Sequence, residues 1–401
     1  MQTLIHLRVS APALIVAVVA VLNARSASIF ERVPLPVGNG YIAGAAFSPD
    51  SRSLSIVTAS HSRGEHERKR VLHLIELRSM TEVHAADVDS PDADNSWPTT
   101  LIEYSADGHY VMFAAEGSDA LSLFDTKVLK VVRRVLLHPE NSPRILLGPR
   151  HDSGGIISLA TARNTSAFAA LTYDRKNGNE VFEGDIASGK VESHWNIGPS
   201  YAATSLGDTS LSLTPDASKT AVWVLPFDRR TRNARENVRL YDSHTGELLR
   251  TFRAMGRLGR VWFHSNDELL LSRIDAPGLF SKKTCIEVLN IESGVVEKKF
   301  CDSDRNVLGF MAIAPETNRI AALAFQIHKD IEGDVYSAPA RIDVWDADSG
   351  ALTAKSQELD RAGFIKMSND GHWIMAGGTL MRVRLGARPA NHHTTTKISP
   401  P

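Results

Sequence analysis

The sequence is poor in cysteine, in excess charge and in the short motifs that mark catalytic sites. It has 401 residues, two of them cysteines, and a formal net charge of −1 at pH 7. A charge this close to zero does not favour bulk binding to nucleic acid. The sequence contains no HExxH motif, no Gly-x-Ser-x-Gly elbow, no phosphate-binding glycine loop and no CxxC pair. We therefore predict no catalytic residue, no cofactor, no metal site and no nucleic-acid partner.

Long apolar runs are also scarce, and the one that stands out lies near the N-terminus. Val9 to Leu22 reads VSAPALIVAVVAVL, follows Arg8 and precedes small residues. The run is shorter than the ~20 apolar residues that span a bilayer. A basic start, a short apolar stretch and small residues after it are typical of a secretory signal. We predict that residues 1–24 are a signal peptide, cleaved after Ala24 or Ala27, and that the processed protein is a periplasmic or secreted monomer that spans no membrane.

What the sequence does contain is a repeated turn. An acidic residue or asparagine is followed four residues later by glycine, or once by methionine, in five places: Glu76–Met80, Asp185–Gly189, Asp242–Gly246, Asn290–Gly294 and Asp346–Gly350. Glycine readily takes the left-handed conformation that such turns need. Apolar segments flank these turns, so each copy predicts a β-hairpin.

A second repeated segment precedes the hairpins. It begins with FSPDSRSL at Phe47 and recurs from Tyr104, Leu213, Phe263, Ile313 and Met367, with a weaker copy, LGPRHDSGGIISLA, from Leu147. Each copy has a short apolar strand, a turn rich in Pro, Asp or Gly, and a second strand. With the hairpin this makes a unit of four strands, named a to d, and the units follow at roughly the 40–50-residue spacing of propeller blades. The fold prediction is an all-β, seven-bladed β-propeller of four-stranded antiparallel blades.

The seventh unit lacks its outer strand, because the chain turns polar after MRVRL at Met381 to Leu385. The segment Ser28 to Val37, SIFERVPLPV, has the apolar alternation of an outer strand. Its pairing with the last blade would close the ring and remove exposed sheet edges. We therefore predict a single propeller domain over residues 28–387, closed by the N-terminal strand, and a disordered tail over residues 388–401.

The paired motifs resemble those of a known group of proteins. The SPDG-like turns and WD-x-x-TG-like hairpins, spread from Ser28 to Leu385, resemble those of bacterial WD-repeat-like and YVTN-type β-propeller proteins. Trp345 and Asp346 form the single literal WD pair. The resemblance implies the architecture and leaves the partner open, because one propeller scaffold carries many unrelated functions.

The two cysteines lie on the two strands of one predicted hairpin. Counting outward from the turn Glu292-Ser293-Gly294 places Cys285 opposite Cys301. Two free buried thiols are the alternative, since thiols are common in protein cores. In an oxidising compartment we favour a disulfide, and closing a loop of this length stabilises a protein by ~3 kcal/mol.

Basic residues concentrate in the predicted connections between strands b and c. They occur in Arg63 to Arg70, Asp174 to Asn177, Asp228 to Arg235 and Ser281 to Lys283. In a propeller the b–c and d–a connections share one face, and variable loops on a rigid scaffold often bind partners. The alternative is that exposed loops are simply polar, and the acidic stretch Asp87 to Asp94 would partly neutralise the face. As contacts to a protein or an anionic envelope component we predict Arg68, Arg70, Arg230 and Arg235.

Two classes of function fit these features. The first is an exported, non-catalytic propeller that serves as an interaction scaffold for a protein or an envelope ligand. The second is the propeller subunit of a periplasmic quinoprotein-type dehydrogenase, or of another enzyme that needs a partner. We favour the first class, because no cluster of acids, bases or metal ligands is visible along the sequence.

Overall fold

The computed structural model describes residues 29–384 apart from a set of connecting segments. The segments outside the description are residues 39, 62–67, 89–99, 116, 138–154, 175–177, 198–209, 225–236, 254–256, 275–284, 302–306, 326, 330–334, 338–339 and 360–361. The predicted signal peptide and the predicted C-terminal tail also lie outside the described residues.

Seven antiparallel sheets of four strands each form the blades, and no helix occurs among the described residues. Blade 1 has β2 (Tyr41–Phe47), β3 (Ser53–His61), β4 (Arg68–Glu76) and β5 (Thr81–Asp87). Blade 2 has β6 (Thr100–Tyr104), β7 (Tyr110–Ala115), β8 (Ala120–Asp125) and β9 (Lys130–Leu136). Blade 3 has β10 (Gly155–Thr161), β11 (Ala167–Asp174), β12 (Gly178–Asp185) and β13 (Lys190–Asn196). Blade 4 has β14 (Ser210–Leu213), β15 (Lys219–Val224), β16 (Asn237–Asp242) and β17 (Leu248–Arg253).

The remaining three blades complete the ring. Blade 5 has β18 (Arg257–Phe263), β19 (Glu268–Ile274), β20 (Cys285–Asn290) and β21 (Val296–Cys301). Blade 6 has β22 (Val307–Ala314), β23 (Arg319–Phe325), β26 (Arg341–Asp346) and β27 (Leu352–Lys355). Its b–c connection carries a small extra hairpin, β24 (Ile327–Lys329) and β25 (Val335–Ser337), which the sequence did not suggest. Blade 7 has β28 (Ile365–Met367), β29 (Trp373–Ala376), β30 (Thr379–Val383) and, as its outer strand, β1 (Phe30–Val33).

The ring closes through β1, and this prediction is confirmed. Phe30 pairs with Val383 and Val33 pairs with Leu380 in an antiparallel ladder. The Phe30 ring is buried in the core between blades 6 and 7, together with Met381 and Val383. Strand β1 therefore serves as the outer strand of blade 7.

The apolar core lies between blades rather than at one centre. The described residues form seven buried clusters, and each cluster joins two neighbouring blades. Trp223 of blade 4, for example, packs with Phe263 of blade 5. Every blade thus depends on both neighbours to bury its two faces, which is why a propeller must form a complete ring.

The repeated Asp–Gly spacing marks the c–d turns. The Asp242 carboxylate accepts hydrogen bonds from the backbone N–H groups of His244 (3.1 Å) and Thr245 (2.9 Å), and Gly246 has φ +70°. Blade 2 has the same turn at Asp125 to Leu129, which the sequence analysis missed. Leucine there adopts φ +57° and hides the pattern, because a non-glycine residue is uncommon in the left-handed region.

The weak copy of the first motif in blade 3 was placed wrongly. The prediction put its turn before the segment IISLA and made that segment the second strand. In the structure this segment lies within β10, the inner strand of blade 3. The a–b turn follows it, with the Ala162 N–H bonded to the Ala167 carbonyl at 3.0 Å.

Four pairs of neighbouring blades are linked by a side chain of the outer strand. In each case this residue comes four positions after the turn residue that has a positive φ. The side chain there donates to backbone carbonyls in the c–d turn of the next blade. The donors are Arg133 to Ala187 and Ser188, Ser193 to Ser243, Arg250 to Ile291, Glu292 and Ser293, and Lys298 to Ala347. These four side chains are called the outer-strand donors below. They explain why cations recur on outer strands that otherwise face water.

The disulfide is present. Cys285 and Cys301 face each other across β20 and β21 and are bonded, at a sequence separation of 16. Intact mass measured without reductant should therefore be two hydrogens below that of the reduced protein, and alkylation of the folded protein should fail. Quantitative labelling of both thiols without reductant would contradict the bridge.

Candidate ligand-binding cavity in the central channel

Four arginines were predicted to form an interaction face, and the structure describes the backbone of two of them, Arg68 and Arg70. Arg68 and Arg70 belong to strand β4 and not to the b–c loop, because β4 pairs with β3 as far as His61. The Arg70 residue is only 4% exposed, so its prediction as an exposed loop contact is corrected. The side chain of Arg68 and both Arg230 and Arg235 lie outside the described residues, and their role stays a prediction.

A cavity of about 1000 Å³ occupies the central channel. The inner strands of all seven blades contribute to its wall, and representative lining residues are Tyr41, Glu103, Ser158, Leu211, Arg260, Phe310 and Lys366. The volume lies at the upper end of the ~300–1000 Å³ usual for ligand sites. The channel is therefore large enough to admit part of a partner or a small molecule.

The cavity lies toward the end of the channel that carries the b–c and d–a connections, here called the loop face. Its wall includes Gly377 and Gly378 of the b–c turn of blade 7. It also includes Leu35 and Val37 of the segment between β1 and β2, and Phe364 before β28. This is the face on which the sequence analysis placed recognition.

Charged side chains project into this mostly apolar wall. Lys366 of blade 7 donates to the Glu103 carboxylate of blade 2, so an ion pair spans the inner strand of blade 1. The guanidinium of Arg260 lies over the Phe310 ring, 4.9 Å from its centroid. Arg32 donates to the Glu358 carbonyl at 3.1 Å. The cavity thus offers cationic groups and one carboxylate at fixed positions among apolar side chains.

A small residue lets two inner strands approach each other here. A Cβ atom on Gly44 would overlap the carbonyl oxygen of Thr100 and lie 3.1 Å from Ile102 Cγ2. Glycine in β2 therefore allows blade 2 to pack directly on blade 1 beside the cavity. Glu103, which pairs with Lys366, follows Ile102 directly on this strand.

A half-buried arginine lies on the face opposite the loop face. Arg163, from the a–b turn of blade 3, reaches past blade 4 and donates to the carbonyls of Phe263 (3.2 Å) and His264 in blade 5. Burial lowers the pKa of the Arg163 guanidinium from its usual value. Burial also lowers the pKa of His264, whose Nε2 lies 3.8 Å from the Glu268 carboxylate. Arg163 therefore ties blade 3 to blade 5 at this end of the ring.

A buried carboxyl lies between blades 3 and 4, away from the channel cavity. Glu183 on β12 is 6% exposed and accepts a hydrogen bond from the Thr220 hydroxyl at 2.9 Å. The Thr220 hydroxyl is also 2.7 Å from that of Ser243. Burial raises the pKa of Glu183 to about 7, although hydrogen bonds from Ser243 and Thr220 act in the opposite direction.

The described part of the chain was also searched for metal-ligand clusters and for membrane-spanning helices. It contains no group of three or more His, Cys, Asp or Glu residues arranged to hold a metal ion. It also contains no helix that is long and apolar enough to cross a membrane.

The cavity residues carry a signal that the sequence analysis did not use. Glu103, Arg260 and Lys366 are charged residues inside short, apolar inner strands. A charge in such a strand is costly unless it is paired or faces a cavity. A search for charges within the inner strands would therefore have identified the channel.

Comparisons with known proteins agree on the architecture. No protein-family model matches the sequence, and no curated protein matches it. Similar solved structures include U3-55K, with a TM-score of 0.57, 10% identity, and coverage of 88% of this chain and 98% of that chain. The β-propeller domain of Cps50 (Swd1) from Myceliophteria thermophila has a TM-score of 0.58, 15% identity, and coverage of 89% and 100%. Hydrazine synthase from Kuenenia stuttgartiensis has a TM-score of 0.58, 12% identity, and coverage of 89% and 98%. At such identities the likeness shows the fold alone.

Proposed function

We propose that this chain is an exported β-propeller of the WD-repeat-like or YVTN type that binds a partner in the loop-face mouth of its central channel. The partner is a protein segment or an envelope ligand, and the propeller itself performs no chemistry. The observation that carries the proposal is the cavity of about 1000 Å³, to which all seven blades contribute. Concave, mostly apolar sites with a few fixed polar groups are where proteins usually bind ligands.

The chemistry of the wall suits a segment that carries both apolar and charged groups. Trp262, Phe310 and Phe364 supply apolar surface, whereas Arg260, Lys366 and Glu103 supply charges of both signs. Fixed charges favour one orientation of a bound segment, since a reversed segment would place like charges together. The proposed contacts outside the channel are Arg68, the first residue of β4, and Arg230 and Arg235, which lie between β15 and β16 in the sequence.

Two observations support export. The Cys285–Cys301 disulfide is of a kind that persists in oxidising compartments and is rare in the reducing cytosol. The apolar run before Ala24 has the length and flanks of a secretory signal. An exported propeller would meet its partner in the periplasm or outside the cell.

A photo-crosslinking residue at Tyr41 tests the binding site. Tyr41 lines the cavity mouth and is 60% exposed, whereas Val295 is 58% exposed on a c–d turn at the other face. A benzoylphenylalanine at position 41 should crosslink a discrete partner in envelope extracts, and the same residue at position 295 should not. Equal crosslinking from both positions, or crosslinking from position 295 alone, would contradict the proposal. A visible absorption band that copurifies with the protein would instead favour the partner-dependent enzyme.

A further inference from the structure

A second cavity, of about 580 Å³, lies at the seam between blade 1 and blade 7, where the ring closes. It is on the face that carries the a–b and c–d turns, opposite the loop face. Its wall comes from the a–b turns of both blades, the c–d turn of blade 1 and strand β30. This cavity is here called the seam cavity, and it is separate from the channel.

Three arginines from three different segments line the seam cavity. Arg52 comes from the a–b turn of blade 1, Arg78 from its c–d turn and Arg382 from β30 of blade 7. All three residues are exposed. Cations brought together from separate segments repel one another, so their convergence favours the binding of an anion.

The carboxylates that line the seam cavity are engaged within their own turns. Glu76 accepts hydrogen bonds from the Ser79 backbone N–H at 2.6 Å and from the Ser79 hydroxyl. Asp370 accepts from the Ser368 hydroxyl at 2.6 Å and from the His372 backbone N–H at 2.9 Å. These bonds hold the two carboxylates to backbone and hydroxyl donors. The Ser79 hydrogen bonds are the main reason that the pKa of Glu76 is lowered, and the charge of Arg78 contributes least to this shift.

The positions of Arg382 and Arg52 leave guanidinium N–H groups available to a ligand. The guanidinium of Arg382 lies over the Trp373 ring, 5.4 Å from its centroid. An arginine that contacts an aromatic face through its own face keeps its in-plane N–H groups available for an oxyanion. Arg52 Nε is 3.9 Å from the Asp50 carboxylate, which is longer than a hydrogen bond.

We propose that the seam cavity binds a small molecule that carries a multiply charged oxyanion, such as a phosphate or sulfate ester. Arg52, Arg78 and Arg382 would contact the oxyanion with charge-assisted hydrogen bonds. The cavity is larger than a single inorganic phosphate, so it has room for an organic part beside the charged group. Because Arg52 and Arg78 belong to blade 1 and Arg382 to blade 7, the ligand bridges the seam. Binding therefore stabilises the closed ring, in proportion to ligand concentration.

Titration calorimetry of the folded protein with inorganic pyrophosphate tests this site. The matched variants are Arg382→Gln and Arg384→Gln, since Arg384 is an exposed arginine just after β30 that pairs with Glu31 at 2.6 Å outside the cavity. Arg382→Gln and Arg78→Gln should each weaken binding by about tenfold or more, whereas Arg384→Gln should bind as the wild type does. Sulfate and a phosphorylated sugar, titrated in parallel, show which source of the oxyanion is preferred.

Three results would overturn the proposal. The first is an equal affinity for pyrophosphate in the wild-type protein and in the triple variant Arg52→Gln, Arg78→Gln, Arg382→Gln. The second is equal weakening by Arg384→Gln, which would mean attraction by general surface charge. The third is pyrophosphate binding without a rise in melting temperature, because a ligand across the seam must stabilise closure. Melting of each variant without ligand confirms that the substitution leaves the fold intact.

Discussion

Deletion of residues 25–37 is expected to lower the melting temperature strongly, because it removes the outer strand of blade 7. All four residues of β1 pair with β30, and Phe30 is 8% exposed within the core between blades 6 and 7. The deletion exposes that core and leaves β30 as an unpaired edge. Loss of the Phe30 side chain alone, in Phe30→Ala, should cost about 3–5 kcal/mol of unfolding free energy.

The control for closure is Glu31→Ala on the same strand. Glu31 is exposed and its carboxylate pairs with Arg384, so its removal should change the unfolding free energy by less than ~1 kcal/mol. Thermal and denaturant unfolding of the three proteins would measure the difference. A deletion protein that melts like the full chain would show that β1 does not hold the ring closed.

Glu183→Gln is expected to stabilise the protein at pH 8 and to have little effect near pH 4.5. Burial raises the Glu183 pKa from 4.5 to about 7 in the folded protein. Between these values the unfolded chain loses its proton before the folded one, so stability falls as pH rises from about 4.5 to about 7 and stays reduced above that. A shift of this size corresponds to on the order of 3 kcal/mol. Glutamine keeps the shape and an acceptor for Thr220 but cannot ionise.

Denaturant unfolding of both proteins across pH 4 to 9 would measure this difference. The matched control is Glu287→Gln, because Glu287 is also buried but lies 2.8 Å from the Lys299 ammonium. Removing one partner of that pair should lower stability instead of raising it. If Glu183→Gln is no more stable than the wild type at pH 8, then the folded protein carries an ionised Glu183 without penalty.

The turns and the disulfide could be predicted from the sequence, because each depends on the spacing of residues within one hairpin. Contacts between residues that are far apart in the sequence could not be predicted in this way. The Asp242–Gly246 spacing is enough to define a hairpin, because both the carboxylate acceptor and the left-handed glycine lie within one turn. The Cys285–Cys301 pairing follows from counting along that kind of hairpin. Leu129 hid an equivalent turn, since Asp125 caps it in the same way but leucine replaces the glycine at the left-handed position.

The candidate site was only partly predictable. The face was inferred from the topology of propellers, but Arg70 was taken for a loop residue because it ends a charged run. Strand β4 already begins at Arg68, inside that run, since backbone pairing with β3 does not depend on side-chain polarity. The ion pair between Glu103 and Lys366 joins residues 263 positions apart, so no pattern along the chain reveals it.

The outer-strand donors give the ring a direction. Arg133, Ser193, Arg250 and Lys298 reach in the same sense from blades 2, 3, 4 and 5 to the c–d turn of the following blade, so blades 3, 4 and 5 each present a donor on one side and acceptors on the other. Such head-to-tail contacts are heterologous, as in a cyclic oligomer. The apolar core shared by blades 1 and 7 is head-to-tail in the same way, and it is buried only when the circle closes. A chain opened at one seam would carry complementary surfaces at its two ends. Those ends could join only each other or the ends of another copy, so an opened ring is a monomer for linear polymers.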